Sequence, residues 1–170
     1  MCSACANGWS SSRKRVDTRR NSKRMPTTRK RPAKPHKQVA TAGYSGTPLP
    51  RKLGIREEYD VLLLNAPPRF ERKLEPLPDG AAFVEDTASA RITVLFAPSQ
   101  AELMRDFRPL AKALPEKSAL WIAWPKKASG VKTDLNENIV REFGLDLGWV
   151  DYKVCAIDET WSGLCFARRK

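Results

Sequence analysis

The sequence predicts an α/β fold: a small three-layer domain on a mainly parallel sheet, closed by an antiparallel hairpin at its carboxyl end. Three observations predict it. Compact apolar runs at residues 59–65 (YDVLLLN), 91–97 (RITVLFA) and 118–124 (SALWIAW) have the length and hydrophobicity of buried strands. Two further stretches carry helical periodicity behind a capping pair, Ser99 with Glu102 and Asp134 with Glu137. The chain then ends in two strand-like stretches, residues 150–158 and 164–168, joined by a short polar turn. Strands that alternate with helices imply crossovers, and so parallel neighbours with helices packed on the sheet.

In chain order, residues 43–50 (GYSGTPLP) are rich in turn formers and read as the linker into the domain, with Tyr44 a candidate anchor on it. Residues 52–58 are short and charged, enough for one helical turn. The first strand stops at Asn65-Ala66-Pro67-Pro68, because paired prolines remove two donors and restrict the residues before them. Leu77-Pro78-Asp79-Gly80 reads as a turn, and Phe83 and Val84 as a short edge strand. After the strand at 91–97, Ser99 starts a helix with Leu103, Phe107, Leu110, Ala111 and Leu114 on one face, ended by Pro115. The strand at 118–124 puts Trp121 in the core. In the second helix, capped by Asp134, the stripe is Leu135, Ile139, Val140 and Phe143, and Gly144 is the expected stop. Val150, Tyr152, Val154 and Ala156 share one face of the next strand. Residues 164–168 return after a turn at Trp161-Ser162-Gly163.

Charge is unevenly placed. The chain has 170 residues and a formal net charge of +12. Twelve Lys or Arg and a single acid, Asp17, fall in residues 1–45, so the remainder is close to neutral. Residues 1–42 are expected to form a disordered basic tail, since their Ser, Thr, Arg, Lys and Pro cannot bury enough apolar surface to offset the entropy of ordering. Residues 43–170 are expected to form one domain. Such a tail can hold nucleic acid without sequence preference, through phosphates; the domain itself gives no global electrostatic case for it. No apolar run has the length of a signal peptide or a membrane span, which makes a cytoplasmic location the expectation. Met25 precedes a coherent short basic segment and is a candidate internal start. Cys2 and Cys5 have the spacing of half a zinc knuckle without a second pair, and Cys155 and Cys165 fall within strands as small apolar residues. No metal site and no disulfide framework is expected.

Ligands in open α/β sheets sit beyond the carboxyl ends of the parallel strands. Three segments leave those ends: residues 65–70, 125–130 and 158–163. They gather Asn65, Arg69, Lys126, Lys127, Ser129, Asp158, Glu159 and Trp161 on one rim, a set of cations, polar groups and one stacking face able to hold an anion. Catalytic patterns are missing. The only histidine, His36, lies in the tail, so the domain has no Ser-His or Cys-His pair, and no P-loop or G-x-G-x-x-G is present. Asn65-Ala66-Pro67-Pro68 stands where a glycine-rich cofactor loop would be, so no cofactor is expected.

The strings GYSGTPL, LLLNAP, WPKKASG and VCAIDETWSGL resemble those of a bacterial family catalogued as a domain of unknown function, over about residues 43–169. The resemblance implies a small cytosolic protein and brings no activity, cofactor or catalytic residue. The order of elements from residue 118 onward is similar to the closing half of a Rossmann-like, methyltransferase-like sheet. The functional expectation is a domain that binds a small anionic ligand or a protein partner at the rim, without catalytic machinery. The alternatives are a divergent methyltransferase-like transferase, or nucleic-acid association through the tail.

Overall fold

The computed structural model describes residues 46–170. The tail at residues 1–42, the Tyr44 anchor, Cys2, Cys5 and His36 lie outside the described residues. The elements are α1 (Leu49–Leu53), β1 (Asp60–Leu64), α2 (Glu71–Leu74), β2 (Ala82–Val84), β3 (Ile92–Phe96), α3 (Gln100–Ala113), β4 (Ala119–Pro125), α4 (Glu137–Asp146), β5 (Trp149–Ala156) and β6 (Trp161–Arg168). A short 3-10 turn, Lys127–Ser129, follows β4. The six strands form one sheet in the order β2-β1-β3-β4-β6-β5. The first four are mutually parallel, and β6 runs antiparallel to both β4 and β5. This is the predicted mainly parallel sheet with a closing hairpin.

Alternation along the strands feeds two cores, one on each face. Leu62, Leu95, Leu120, Ile122, Leu164 and Phe166 point to the side covered by α3 and α4 and meet Leu103, Phe107, Leu110 and Val140. Val61, Val94, Phe96, Trp121 and Cys165 point to the other side and meet Leu49 and Leu53 of α1 and Phe70 and Leu74 around α2. Trp121 is fully buried, and its indole N–H donates to the Leu53 carbonyl at 2.9 Å. The one polar atom of that side chain is thereby satisfied, and α1 is fixed to the middle of the sheet.

Several elements depart from the sequence reading, each for a local reason. The first helical turn is Leu49–Leu53 rather than residues 52–58. Proline is tolerated in a first turn, which lets Pro50 start it, and Gly54 in the left-handed region (φ 80) ends it. Helix α4 is capped by Asn136, whose side chain accepts from the Ile139 N–H; Asp134 instead accepts from the Gln100 N–H at 2.8 Å, tying the approach of α4 to the start of α3. Gly144 does not stop α4 but lies inside it, buried against the Phe166 ring. Trp161-Ser162-Gly163 is strand, not turn: the register sets Pro125 opposite Trp161 and Ala123 opposite Gly163, so the turn is residues 158–160. Val150, Tyr152 and Val154 are exposed, and an irregularity between Asp151 and Lys153 breaks their alternation.

Gly144 provides a test of sign. At an exposed helix position Gly→Ala stabilises by about 1 kcal/mol. Here an added Cβ would overlap the fully buried Phe166 ring. Gly144→Ala is therefore expected to destabilise by about 1–3 kcal/mol, read as a lower denaturant midpoint at unchanged slope; a raised midpoint would show that α4 does not seat on Phe166.

Candidate functional site

The topological switch point lies between β1 and β3, the neighbours from which the chain winds in opposite directions. At the end of β1, Asn65 adopts a left-handed conformation (φ 53), which asparagine tolerates better than most residues. Its side-chain amide donates to Asp106 Oδ2 at 2.8 Å and to the Phe96 carbonyl at 3.4 Å, joining the ends of β1 and β3 to α3. The Arg105 guanidinium donates to both Asp106 oxygens, at 2.7 and 2.8 Å. These contacts hold the Asp106 carboxyl below the usual carboxylate range: the Arg105 bond contributes most, the Asn65 bond adds to it, and partial burial opposes both. Asp106 is thus ionised at neutral pH.

Beside this pair is a crevice of about 320 Å³, lined by Leu64, Asn65, Thr87, Leu95, Asp106, Pro109, Leu110 and Ala113. It exists because β2 returns to β3 through a connection without a helix, so the sheet face over β1 next to α3 is left open. Its wall is mostly apolar, with Asn65, Thr87 and Asp106 as polar points. Concave pockets for small ligands have this composition.

A second group forms where β4 ends against the start of β6. The Lys126 N–H donates to the Thr160 carbonyl at 2.7 Å, and its ammonium to the Asp158 carbonyl at 2.6 Å. Asp158 Oδ1 accepts from the Thr160 and Trp161 N–H groups, both at 2.8 Å, while Oδ2 accepts from Lys73 of α2 at 2.6 Å. The Ser129 hydroxyl donates to the Lys126 carbonyl and accepts from the Val131 N–H, closing the turn after β4. Trp161 lies edge-on to Phe96 with centroids 5.0 Å apart, and Phe96 likewise to Phe70 at 4.7 Å. Lys126, Ser129, Asp158 and Trp161 are thus brought together, held largely by the bonds that shape their own turns. Arg69 (φ 63), Lys127 and Glu159 are exposed and make no side-chain hydrogen bond among the described residues. Asn65 belongs with Asp106, not with the lysines.

Sequence reasoning missed Asp106 and Lys73. Asp106 carried a signal: it lies three residues after Leu103 and four before Leu110, on the core-facing stripe of a helix, where a carboxylate needs a partner. Lys73 had none, since its partner is distant in the chain. Among the described residues no group of His, Cys, Asp and Glu has the arrangement of a metal site. No described helix is long and apolar enough to cross a membrane. Burial pushes the Cys165 thiol up to about 12 and raises that of Cys155, so neither is a thiolate nucleophile at neutral pH.

No protein-family profile matches the sequence, and no curated protein sequence matches it. Solved structures do. DhpI in complex with SAH superposes with a TM-score of 0.51 at 12% identity, over 72% of this chain and 82% of that one. The fold is methyltransferase-like. A LepI variant with SAH and a substrate analogue gives 0.44 at 13% identity, over 71% of this chain and 39% of that one. LepI with SAM gives 0.43 at 12%, over 72% and 47%. The functional expectation is corrected accordingly. The expectation of a binding domain without catalytic machinery is corrected: the fold is shared with DhpI, solved with SAH, which favours the alternative reading. The sequence pointed the other way because the loop after β1 has prolines where glycines were sought.

The thiols give a direct test of the site's electrostatics. Peptide mapping after brief iodoacetamide treatment at pH 8 is expected to find Cys155 and Cys165 unmodified in the folded protein and alkylated in urea. Rapid native labelling of Cys165 would contradict its burial against β4.

Proposed function

We propose that this chain is a divergent methyltransferase-like transferase that binds S-adenosylmethionine in the crevice between β1, β3 and α3. The observation that carries the reading is the Asn65–Asp106 pair, set across the switch point beside that crevice. The residues present fit an adenosyl group. Its volume of about 320 Å³ falls in the range of small-molecule pockets, roughly 300–1,000 Å³. Leu64, Leu95 and Leu110 offer an apolar wall for a purine. Asp106 offers an ionised acceptor, and the Asn65 side-chain oxygen accepts no hydrogen bond among the described residues. Glu85 and Asp86 follow β2 directly and are exposed. In doubly wound folds a carboxylate about 20 residues beyond the first loop takes the ribose hydroxyls. The departure is in that loop: Pro67 and Pro68 have no N–H to offer. Side chains would therefore hold the cofactor where backbone usually does.

When bound, S-adenosylmethionine supplies an electrophilic methyl on a cationic sulfur. Asp106, already paired with the Arg105 guanidinium, would offer the bound group a carboxylate acceptor and, through Asn65, fixes the end of β1. Arg69, Lys126, Lys127, Ser129, Glu159 and Trp161 border the neighbouring strand ends, where a methyl acceptor would approach. Glu159, exposed and unengaged among the described residues, is available to accept a proton there. The same reading keeps residues 43–170 as one cytoplasmic domain behind a basic tail at 1–42. It also keeps the bacterial family whose four strings the sequence resembles.

Titration of the full chain with S-adenosylhomocysteine tests the reading. Saturable binding is expected, with about 2.7 kcal/mol of added stability at a hundred times the dissociation constant. Asn65→Ala and Asp106→Asn, each checked for native circular dichroism, are expected to weaken binding at least tenfold. Absence of any heat or thermal shift at millimolar ligand would sink the proposal.

A further inference from the structure

At the opposite end of the sheet, on the face that carries Trp121, the amino ends of β3 and β4 open into two adjoining cavities of about 320 and 570 Å³. They share Lys117, Ala119 and Tyr152 and so form one trough. The irregularity in β5 shapes it. Asp151 pairs with Phe166 and Lys153 with Cys165, leaving Tyr152 as the extra residue. Tyr152 reaches the Cys165 thiol, 3.1 Å from its hydroxyl, and Lys153 lies over Trp121, 6.0 Å from the ring centroid. Two consecutive side chains therefore serve the same face. The Tyr152 ring is not a core residue: the residue is 60% exposed.

The trough is cationic. Arg56, Arg91, Lys117, Lys153, Arg169 and Lys170 line it against one acid, Glu116. Of the ion pairs among the described residues, none uses any of these six. Arg91 stacks on Tyr59 at 5.5 Å, and Lys153 donates to the Lys52 carbonyl at 2.6 Å; neither contact neutralises a charge. Residues 46–170 carry nineteen basic and eighteen acidic side chains. The positive face thus reflects segregation of charge rather than overall excess. Cations spread along a trough suit a chain of phosphates, and an exposed ring in their midst suits a base.

We propose that this trough binds single-stranded nucleic acid, with phosphates along Arg91, Lys117, Arg169 and Lys170 and a base stacked on Tyr152. It lies on the other face and at the other end of the sheet from the crevice beside Asn65, so it stands independently of the transferase reading. It also differs from binding by the basic tail, which would need no ring.

The test is fluorescence anisotropy of the full chain with a labelled oligothymidylate of about ten nucleotides, at several salt concentrations. Every variant retains residues 1–45, so the contribution of the tail is constant. Tyr152→Ala is expected to weaken binding about tenfold, in line with the stacking energy of a base, while leaving inorganic polyphosphate binding unchanged. Tyr152→Phe, which keeps the ring and loses the hydroxyl, is expected to restore it. The triple variant Lys117→Ala, Arg169→Ala, Lys170→Ala is expected to flatten the slope of log K against log salt by about 2, at about 0.7 per phosphate contact. Unchanged affinity and slope in these variants would assign all binding to the tail and overturn the proposal. Equal losses for oligonucleotide and polyphosphate in Tyr152→Ala would also overturn it. Unchanged S-adenosylhomocysteine binding in the same variants keeps this outcome separate from that of the crevice.

Discussion

The rest of the structure depends on the double pairing of β4. One edge bonds to parallel β3 and the other to antiparallel β6. Its side chains are buried on both faces, with Leu120 and Ile122 in one core and Trp121 and Ala123 in the other. Register along β4 is therefore fixed from four directions, and a slip by one residue would exchange the two cores. That register brings Pro125 opposite Trp161, sets the turn at residues 158–160 against Lys126, and holds α1 through the indole of Trp121. Both the carboxyl-end rim and the trough at the amino end follow from where this strand starts and stops.

Most of the fold was legible because its signals are local. An apolar run of seven residues has few options besides a buried strand, and Ser99 three residues before Glu102 caps α3 as expected. What was not legible depends on partners far along the chain. Asp134 and Asn136 are both able to cap a helix; the choice fell to Asn136 because Gln100 occupies Asp134. Gly144 has the look of a terminator, and only the Phe166 ring explains why a glycine sits inside α4. Trp161-Ser162-Gly163 reads as a turn until β4 is laid beside it.

The site divides along the same line. That residues 65–70, 125–130 and 158–163 leave one edge of the sheet follows from chain order. Which of them meet does not. Asn65 turned to α3, whereas Lys126 and Asp158 turned to each other and to Lys73. The absence of a glycine loop was a true observation about the sequence. In the proposed reading, side chains that follow β1 and β2 and one on α3 take the place of that loop's backbone groups.

The irregularity between Asp151 and Lys153 has a second effect. Strand β5 is the outer edge of the sheet beyond β6, and an outer edge presents unpaired N–H and C=O groups to any passing strand. An extra residue in mid-strand interrupts that row and increases the local twist. A neighbouring chain could match only a few residues on either side before losing step. The same displaced tyrosine that lines the trough thus breaks the regular edge along the exposed run of Val150, Tyr152 and Val154, which makes that edge a poorer template for aggregation.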